Sequence, residues 1–405
     1  MYKVADIGTG THGLLAMLNP KLDTTAFCDI SDKKRNDAVK IARVLKEKMK
    51  ADKEPTPVRG YADYREMIEQ EEPDIVTIMT PDEFHADMSV FALEHGAHVF
   101  VEKPMCLTLE ECERMIDAVR RTGRKLAVNQ CARTIQAFHT VFDIQAHGDL
   151  GLAYYIRAEY LHGSMRRVFE DPGSWRRRKK TTLGGSSHAI DLVLGLMGEQ
   201  AECVCASASK HMFSADVRTH DMDNVLMRFP GDRAGYCVTD LGSHRRGLGM
   251  AFELYATKTD VIQAQTHTDE RDVDRGARSG LRFYDASGAR TIHDGQFSDT
   301  QMEIELGHGQ GFYRQQENLV YAIEHDTKQR TMADVVDGAR TVSVGVAAVE
   351  SIETGKTAPV RQWEPLAYKG GAPLWDLDDY QKDMLRAYVP ILSKENRKKI
   401  LSGGK

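Results

Sequence analysis

The chain has 405 residues, with 54 lysines and arginines against 60 aspartates and glutamates, a formal charge of −6, and 41% hydrophobic residues. At roughly 100–200 residues per domain this suffices for about two to four domains whose core needs no disulfide or metal staple, and the mildly acidic balance argues against nucleic-acid and membrane-surface partners. Seven cysteines without a CxxC pair, no signal peptide and no apolar run near the roughly 18 residues of a membrane span lead us to expect a cytoplasmic protein.

From residue 1 to about 130, short apolar runs alternate with amphipathic stretches, the pattern of βαβ units feeding a parallel sheet. Strands are expected at Lys3–Ile7, Thr25–Cys28, Asp74–Thr80, His98–Val101 and Lys125–Asn129, with a short strand after the linker Glu54–Pro57. Ser31–Lys50 places Ala38, Ile41, Ala42, Leu45 and Met49 on one helical face, and Thr108 with Glu111 forms a capping box for a second helix. Asp6 interrupts the first strand, where a central parallel strand is nearly all apolar. Beyond residue 150 strands follow one another at Ala153–Leu161, Ala201–Ser209, Asn224–Phe229, Ala234–Leu241, Ala251–Ala256 and Leu281–Asp285, with helices at Ser187–Met197 and Tyr313–His325. The expected fold is therefore α/β: a Rossmann dinucleotide-binding domain (1–130), an α+β substrate-binding and oligomerisation domain with a large, mostly antiparallel open sheet (131–365), and a C-terminal extension (366–405) with a helix near Tyr380–Val389.

Directly after the first strand, Gly8, Thr9, Gly10, Thr11, His12 and Gly13 form a GxGxxG that opens a helix. The glycines allow a tight turn, backbone approach to a pyrophosphate and close helix–strand packing, and the helix N-terminus receives the negative charge. Asp29, followed by Ile30, ends the second strand about twenty residues on, where a carboxylate accepts from ribose hydroxyls and repels a 2′-phosphate. NAD is the expected cofactor; Lys33, Lys34 and Arg35 behind Asp29 keep NADP as the lesser alternative.

Thr80-Pro81 with His85 follows the fourth strand, and Glu102-Lys103-Pro104 ends the fifth. Lys103 precedes a proline, so its backbone is extended and its side chain leaves the C-terminal end of a parallel strand, where ligands sit and where an ammonium stabilises a developing alkoxide. His188 and Asp191, three apart at the start of a helix, share a face, and an imidazole of ordinary pKa about 6.5 suits a general base. Asn129 and Arg133 follow the last Rossmann strand, Trp175 and Arg176 lie in a loop before His188, and Tyr160, His162 and His244 stand at strand ends. Each also has a plainer reading, from a domain-junction hydrogen bond to an ordinary surface residue. No HExxH or paired-ligand spacing occurs, so no metal is expected.

With the GxGxxG, Asp29, Thr80-Pro81, His85, Glu102-Lys103-Pro104, Trp175-Arg176, His188 to Asp191, Glu253 to Lys258 and Glu350 to Lys356, the chain resembles the Gfo/Idh/MocA family of oxidoreductases up to about Arg361. That resemblance implies that Lys103 and His188 act as an acid–base pair, that Asp191 lies at the substrate site, that Trp175-Arg176 closes over the cofactor, that Lys103-Pro104 is cis, and that copies assemble into a dimer, tetramer or larger homo-oligomer. The chain departs from the family at Gly184, where an Asp four residues before the histidine is common.

Three functions follow as expectations. The first is NAD-dependent oxidation of a secondary hydroxyl of a sugar, glycoside or cyclitol, the 3-hydroxyl of a glycoside included, with Lys103, Arg133, Tyr160, His162, His188, Asp191 and His244 around the substrate. The second is redox-assisted glycoside cleavage with retained NAD, and the third a non-catalytic NAD-binding regulatory protein.

Overall fold

A computed structural model describes residues 1–9, 11–49, 56–244, 249–267, 280–294, 309–329, 331–372 and 394–402. The N-terminal strands are β1 (Tyr2–Ile7), β2 (Leu22–Cys28), β3 (Arg59–Tyr61), β4 (Ile75–Ile78), β5 (His98–Val101) and β6 (Leu126–Val128). They form one parallel sheet in the order β6-β5-β4-β1-β2-β3. The order reverses between β1 and β4, and in such sheets ligands bind in the crevice beyond the strand ends at that point. Helices cover both faces, so the strands are apolar on both sides: Ala5, Ile7, Val76 and Ile78 pack into one layer, Val4, Phe27, Ile75 and Phe100 into the other.

Asp6 is the exception. Its carboxyl is fully buried and neither oxygen has a hydrogen bond among the described residues. It points at Gly13, where a Cβ would stand 3.3 Å from the Asp6 Cγ. Burial raises its pKa well above the ordinary carboxylate range. The folded state therefore holds a proton that the unfolded chain releases above about pH 4, and stability falls as pH rises through that window. Asp6→Asn is expected to flatten this slope and to melt above the wild type at alkaline pH; thermal melts across the window check it, and a wild type whose stability does not fall with rising pH would contradict a neutral buried carboxyl.

The second sheet is built from β7 (Ala153–Leu161), β8 (Cys203–Ser209), β9 (Met222–Phe229), β10 (Arg233–Asp240), β11 (Gly249–Ala256), β12 (Asp260–His267), β13 (Gly280–Asp285) and β14 (Gly288–Asp294). Its order is β14-β13-β12-β11-β7-β10-β9-β8, antiparallel except for the parallel pair β7–β10. Inward residues alternate with half-exposed ones along β9, β10 and β11, and the inner face packs on the helices Gln136–Ala146, Ser187–Met197 and Val335–Thr354. β12 and β14 lie where the sequence pattern predicts no strand.

After β15 (Lys328–Gln329), the chain returns to the first sheet: β16 (Ala333–Asp334) pairs antiparallel with β6. The helix Val335–Thr354 then runs between the two lobes, capped by Asp334 with Asp337. Short β17 (Ala358–Pro359) closes the edge of the second sheet beside β8. In the extension, β18 (Gly371–Ala372) pairs with β15 and the helix Lys394–Leu401 packs on the helix Asp32–Met49. The helix expected near Tyr380–Val389 lies outside the described residues. The capping box at Thr108 and Glu111 is present. No described helix is long and apolar enough to cross a membrane.

Candidate active site

The cofactor end of the crevice starts at Gly8. Its φ is +87°, and a Cβ there would stand 2.6 Å from the Met79 carbonyl oxygen at the end of β4, so only glycine joins β1 to the loop across the point where strand order reverses. Thr9 donates its N–H and its hydroxyl to Asp29 Oδ2 at 3.3 and 2.9 Å, while Asp29 Oδ1 accepts from the Ser31 N–H at 2.8 Å. Gly10 lies outside the described residues; Thr11 and His12 begin the helix Thr11–Ala16. Ile30, beside Asp29, is 93% exposed. Of the cations behind Asp29, Lys33 pairs with Asp37 and Arg35 with Asp32 and the Asp29 carbonyl.

Further along the crevice, Glu102 Oε1 accepts from Asn129 Nδ2 at 2.8 Å and Oε2 from the Lys103 N–H at 3.0 Å. Asn129 Oδ1 is a buried acceptor with no hydrogen bond among the described residues. The glycine turn, Asp29 at the strand end and this open acceptor fit a dinucleotide: a helix N-terminus for the pyrophosphate, a carboxylate for ribose hydroxyls and an acceptor for an amide N–H. His85 stands elsewhere. It is fully buried, with Nδ1 2.9 Å from the Pro104 carbonyl and Nε2 3.0 Å from that of Thr80, so it ties the loops after β4 and β5 together behind the crevice.

The other end of the crevice is built by both lobes. Lys103 leaves the end of β5 on a cis peptide to Pro104 and donates to the Gly184 carbonyl at 3.2 Å. Its Nζ lies 6.0 Å from the centroid of the Tyr160 ring. His188, buried in the first turn of the helix Ser187–Met197, approaches the same ring, with centroids 5.2 Å apart. That turn is held by the Gln130 side chain, which donates to the Ser187 hydroxyl at 3.1 Å. Tyr160 Oη is 3.0 Å from His162 Nδ1. Burial, helped by the Lys103 charge, lowers His162 to about 4, and burial raises Tyr160 above the ordinary phenol range, so both stay neutral at physiological pH. Lys103, His162 and His188 thus all gather around the Tyr160 side chain.

Asp191 and Arg133 face each other instead. Arg133 donates to both Asp191 oxygens at 2.7 and 2.6 Å and to Asp337 at 3.2 Å, and Lys328 pairs with Asp337 and Asp334. Arg133, Asp191, Asp334 and Asp337 are buried, and Asp191 stands on the helix that carries His188. His244 is exposed, four residues beyond the end of β10. Trp175 and Arg176 stack on each other at 4.5 Å, and Lys179 lies 4.4 Å from the same ring and pairs with Asp82. No group of three or more His, Cys, Asp or Glu among the described residues could hold a metal ion.

Two family models match the chain: the oxidoreductase family's NAD-binding Rossmann fold at residues 3–130, and its C-terminal alpha/beta domain at residues 146–361. The chain belongs to the Gfo/Idh/MocA oxidoreductase family. Its N-terminal lobe carries that family's NAD-binding Rossmann fold. Among solved structures of the family's fold, levoglucosan dehydrogenase in complex with NADH and levoglucosan superposes with a TM-score of 0.70 at 21% identity, covering 89% of this chain and 100% of that one. The WlbA dehydrogenase from Bordetella pertussis in complex with NADH and UDP-GlcNAcA gives 0.69 at 17%, covering 89% and 98%. Both are likenesses of fold. An alpha-N-acetylgalactosaminidase of Shewanella oneidensis is 33% identical over 126 residues, 30% of this chain; the match spans only 28% of that relative's length.

Proposed function

We propose that this Gfo/Idh/MocA protein oxidises a secondary hydroxyl of a sugar, glycoside or cyclitol. The observation that carries the reading is that an ammonium from the Rossmann lobe and an imidazole from the second lobe, Lys103 and His188, stand within 6.0 and 5.2 Å of one tyrosine ring at the crevice. Bound NAD supplies the hydride acceptor.

Lys103 places positive charge beside the alcohol oxygen and stabilises the alkoxide as the carbinol C–H bond breaks. His188 takes the hydroxyl proton. Tyr160, kept neutral and oriented by His162, walls the space and offers a phenol for a further sugar hydroxyl. Arg133 and Asp191 serve as positioning residues: their paired charges fix the helix that carries His188. Sugar alcohols suit this lining of hydroxyl, imidazole and ammonium groups.

Mixing the protein with NAD and a panel of sugars, glycosides and cyclitols should give NADH absorbance with at least one; no reduction with any of them contradicts the reading. A second reading, glycoside cleavage with retained NAD, is favoured by the likeness to the alpha-N-acetylgalactosaminidase. Release of an aglycone without net NADH would establish it. The outward face of the second sheet, where the Tyr155 and Tyr255 rings meet at a tilt and Leu226 and Tyr284 are about half exposed, is the surface we assign to pairing between copies in the cytoplasm.

A further inference from the structure

The run Arg176 to Lys180 looks like a solvated basic loop in sequence, yet Lys179 turns inward. Its side chain is 15% exposed and its ammonium pairs with Asp82, at the start of the turn after β4. It lies over the Trp175 ring. It also fills the room left by Gly184, where a Cβ would meet Lys179 Cδ at 3.3 Å and Nζ at 3.8 Å. The same Gly184 gives its carbonyl to Lys103. Two ammonium groups, one from each lobe, therefore meet at one glycine, and Arg176 stacked on Trp175 adds a third cation.

Among the described residues, the acidic groups facing these three are Asp82, paired with Lys179, and Glu102, which accepts from Asn129 and the Lys103 N–H. The corner holds a surplus of positive charge. An ammonium has three donors, and Asp82 takes one. Burial lowers Lys179 to about 8, with Lys103 and Arg176 adding to the shift and Asp82 opposing it, so the pairing does not fully compensate the charge. A carboxylate at position 184 would stand between the two lysines; the protein provides none there.

We propose that Lys179 is a substrate-recognition residue which, with Lys103 and Arg176, selects a sugar bearing a carboxylate, a uronic acid or its glycoside, over its neutral counterpart. This rests on the reading of the crevice as a sugar-alcohol site. The carboxylate takes the free donors of Lys179, and Asp82 holds that ammonium in place across the two lobes.

The test is calorimetric titration of the NAD-loaded full-length protein with glucuronate and with glucose. The wild type should bind glucuronate about tenfold or more tightly than glucose, as one charge-assisted hydrogen bond in a buried site requires. Lys179→Met should lower glucuronate affinity about tenfold more than glucose affinity, and Lys179→Arg should keep most of the preference. Equal binding of the two sugars by the wild type, no measurable glucuronate binding, or a parallel loss for both sugars in Lys179→Met would overturn the proposal, the last reducing Lys179–Asp82 to an inter-lobe latch. Because binding is read without turnover, preferential glucuronate binding with no NADH from any alcohol would sink the oxidation reading alone, whereas oxidation of neutral sugars without a glucuronate preference would sink this one alone.

Discussion

Lys103→Met lowers kcat by about 10²–10³-fold while NAD affinity stays within a few-fold, because the substitution removes a charge that acts on the alcohol oxygen as it becomes anionic and leaves the glycine turn and Asp29 untouched. The volume of the side chain is nearly kept, so the Gly184 carbonyl loses a donor without a cavity opening. Steady-state NADH formation gives kcat, and fluorescence titration gives the cofactor affinity. The same experiment on His188→Asn should lower kcat by about 10²–10⁴-fold, the usual worth of a positioned general base. A raised KM with unchanged kcat in Lys103→Met would mean that the lysine binds ground state and transition state equally, and the ammonium would then be a sugar anchor only.

Arg133→Leu destabilises the fold by about 3–5 kcal/mol, since it strands the Asp191 carboxylate in a site with no solvent access. Replacing both partners with apolar side chains of similar volume should recover much of that loss, because a buried ion pair contributes little beyond the penalty of breaking it. Urea unfolding midpoints at constant slope report both changes. A loss below about 1 kcal/mol with a raised KM would instead place the guanidinium on the substrate. The network also sets an acid limit. Burial pushes the Asp337 carboxyl up, but Lys328 and Arg133 more than offset it and hold the group well below the ordinary carboxylate range. Because the folded value is depressed, its contribution is complete above about pH 4 and is lost as pH falls through the folded value.

The residues that could be read from sequence are those whose job is local. Gly8 and Asp29 are legible because a turn and a strand end fix their geometry within twenty residues. Lys103 is legible because the following proline and the strand before it aim its side chain, and Thr108 with Glu111 because a capping box is a four-residue pattern. What hides is set by distant partners. Arg133 and Asp191 both look like substrate ligands until the fold brings them together across 58 positions. His85 looks like a cofactor contact, but its two ring nitrogens are turned to the carbonyls of Thr80 and Pro104.

Two larger features hide for compositional reasons. The helix Val335–Thr354 is buried along both lobes, so it carries Val, Ala, Gly and Ser on every side and shows no amphipathic stripe. β12 and β14 run through Gln, Thr, His and Arg and lack the apolar alternation that marks a half-buried strand. Lys179 hides in a run of five cations, where nothing in the order of residues marks which one turns inward; only Gly184, opening room beside it, carries a trace of the arrangement.

The convergence of Lys103 and His188 on one alcohol is tested most directly by a crystal structure of the protein with NAD and an oxidisable glycoside. The account predicts a single ring hydroxyl within hydrogen-bond distance of both the Lys103 ammonium and the His188 ring, with its carbon facing the nicotinamide and the Tyr160 ring alongside. A sugar whose reacting hydroxyl touches only one of the two groups, with the other turned away behind Tyr160, would contradict it.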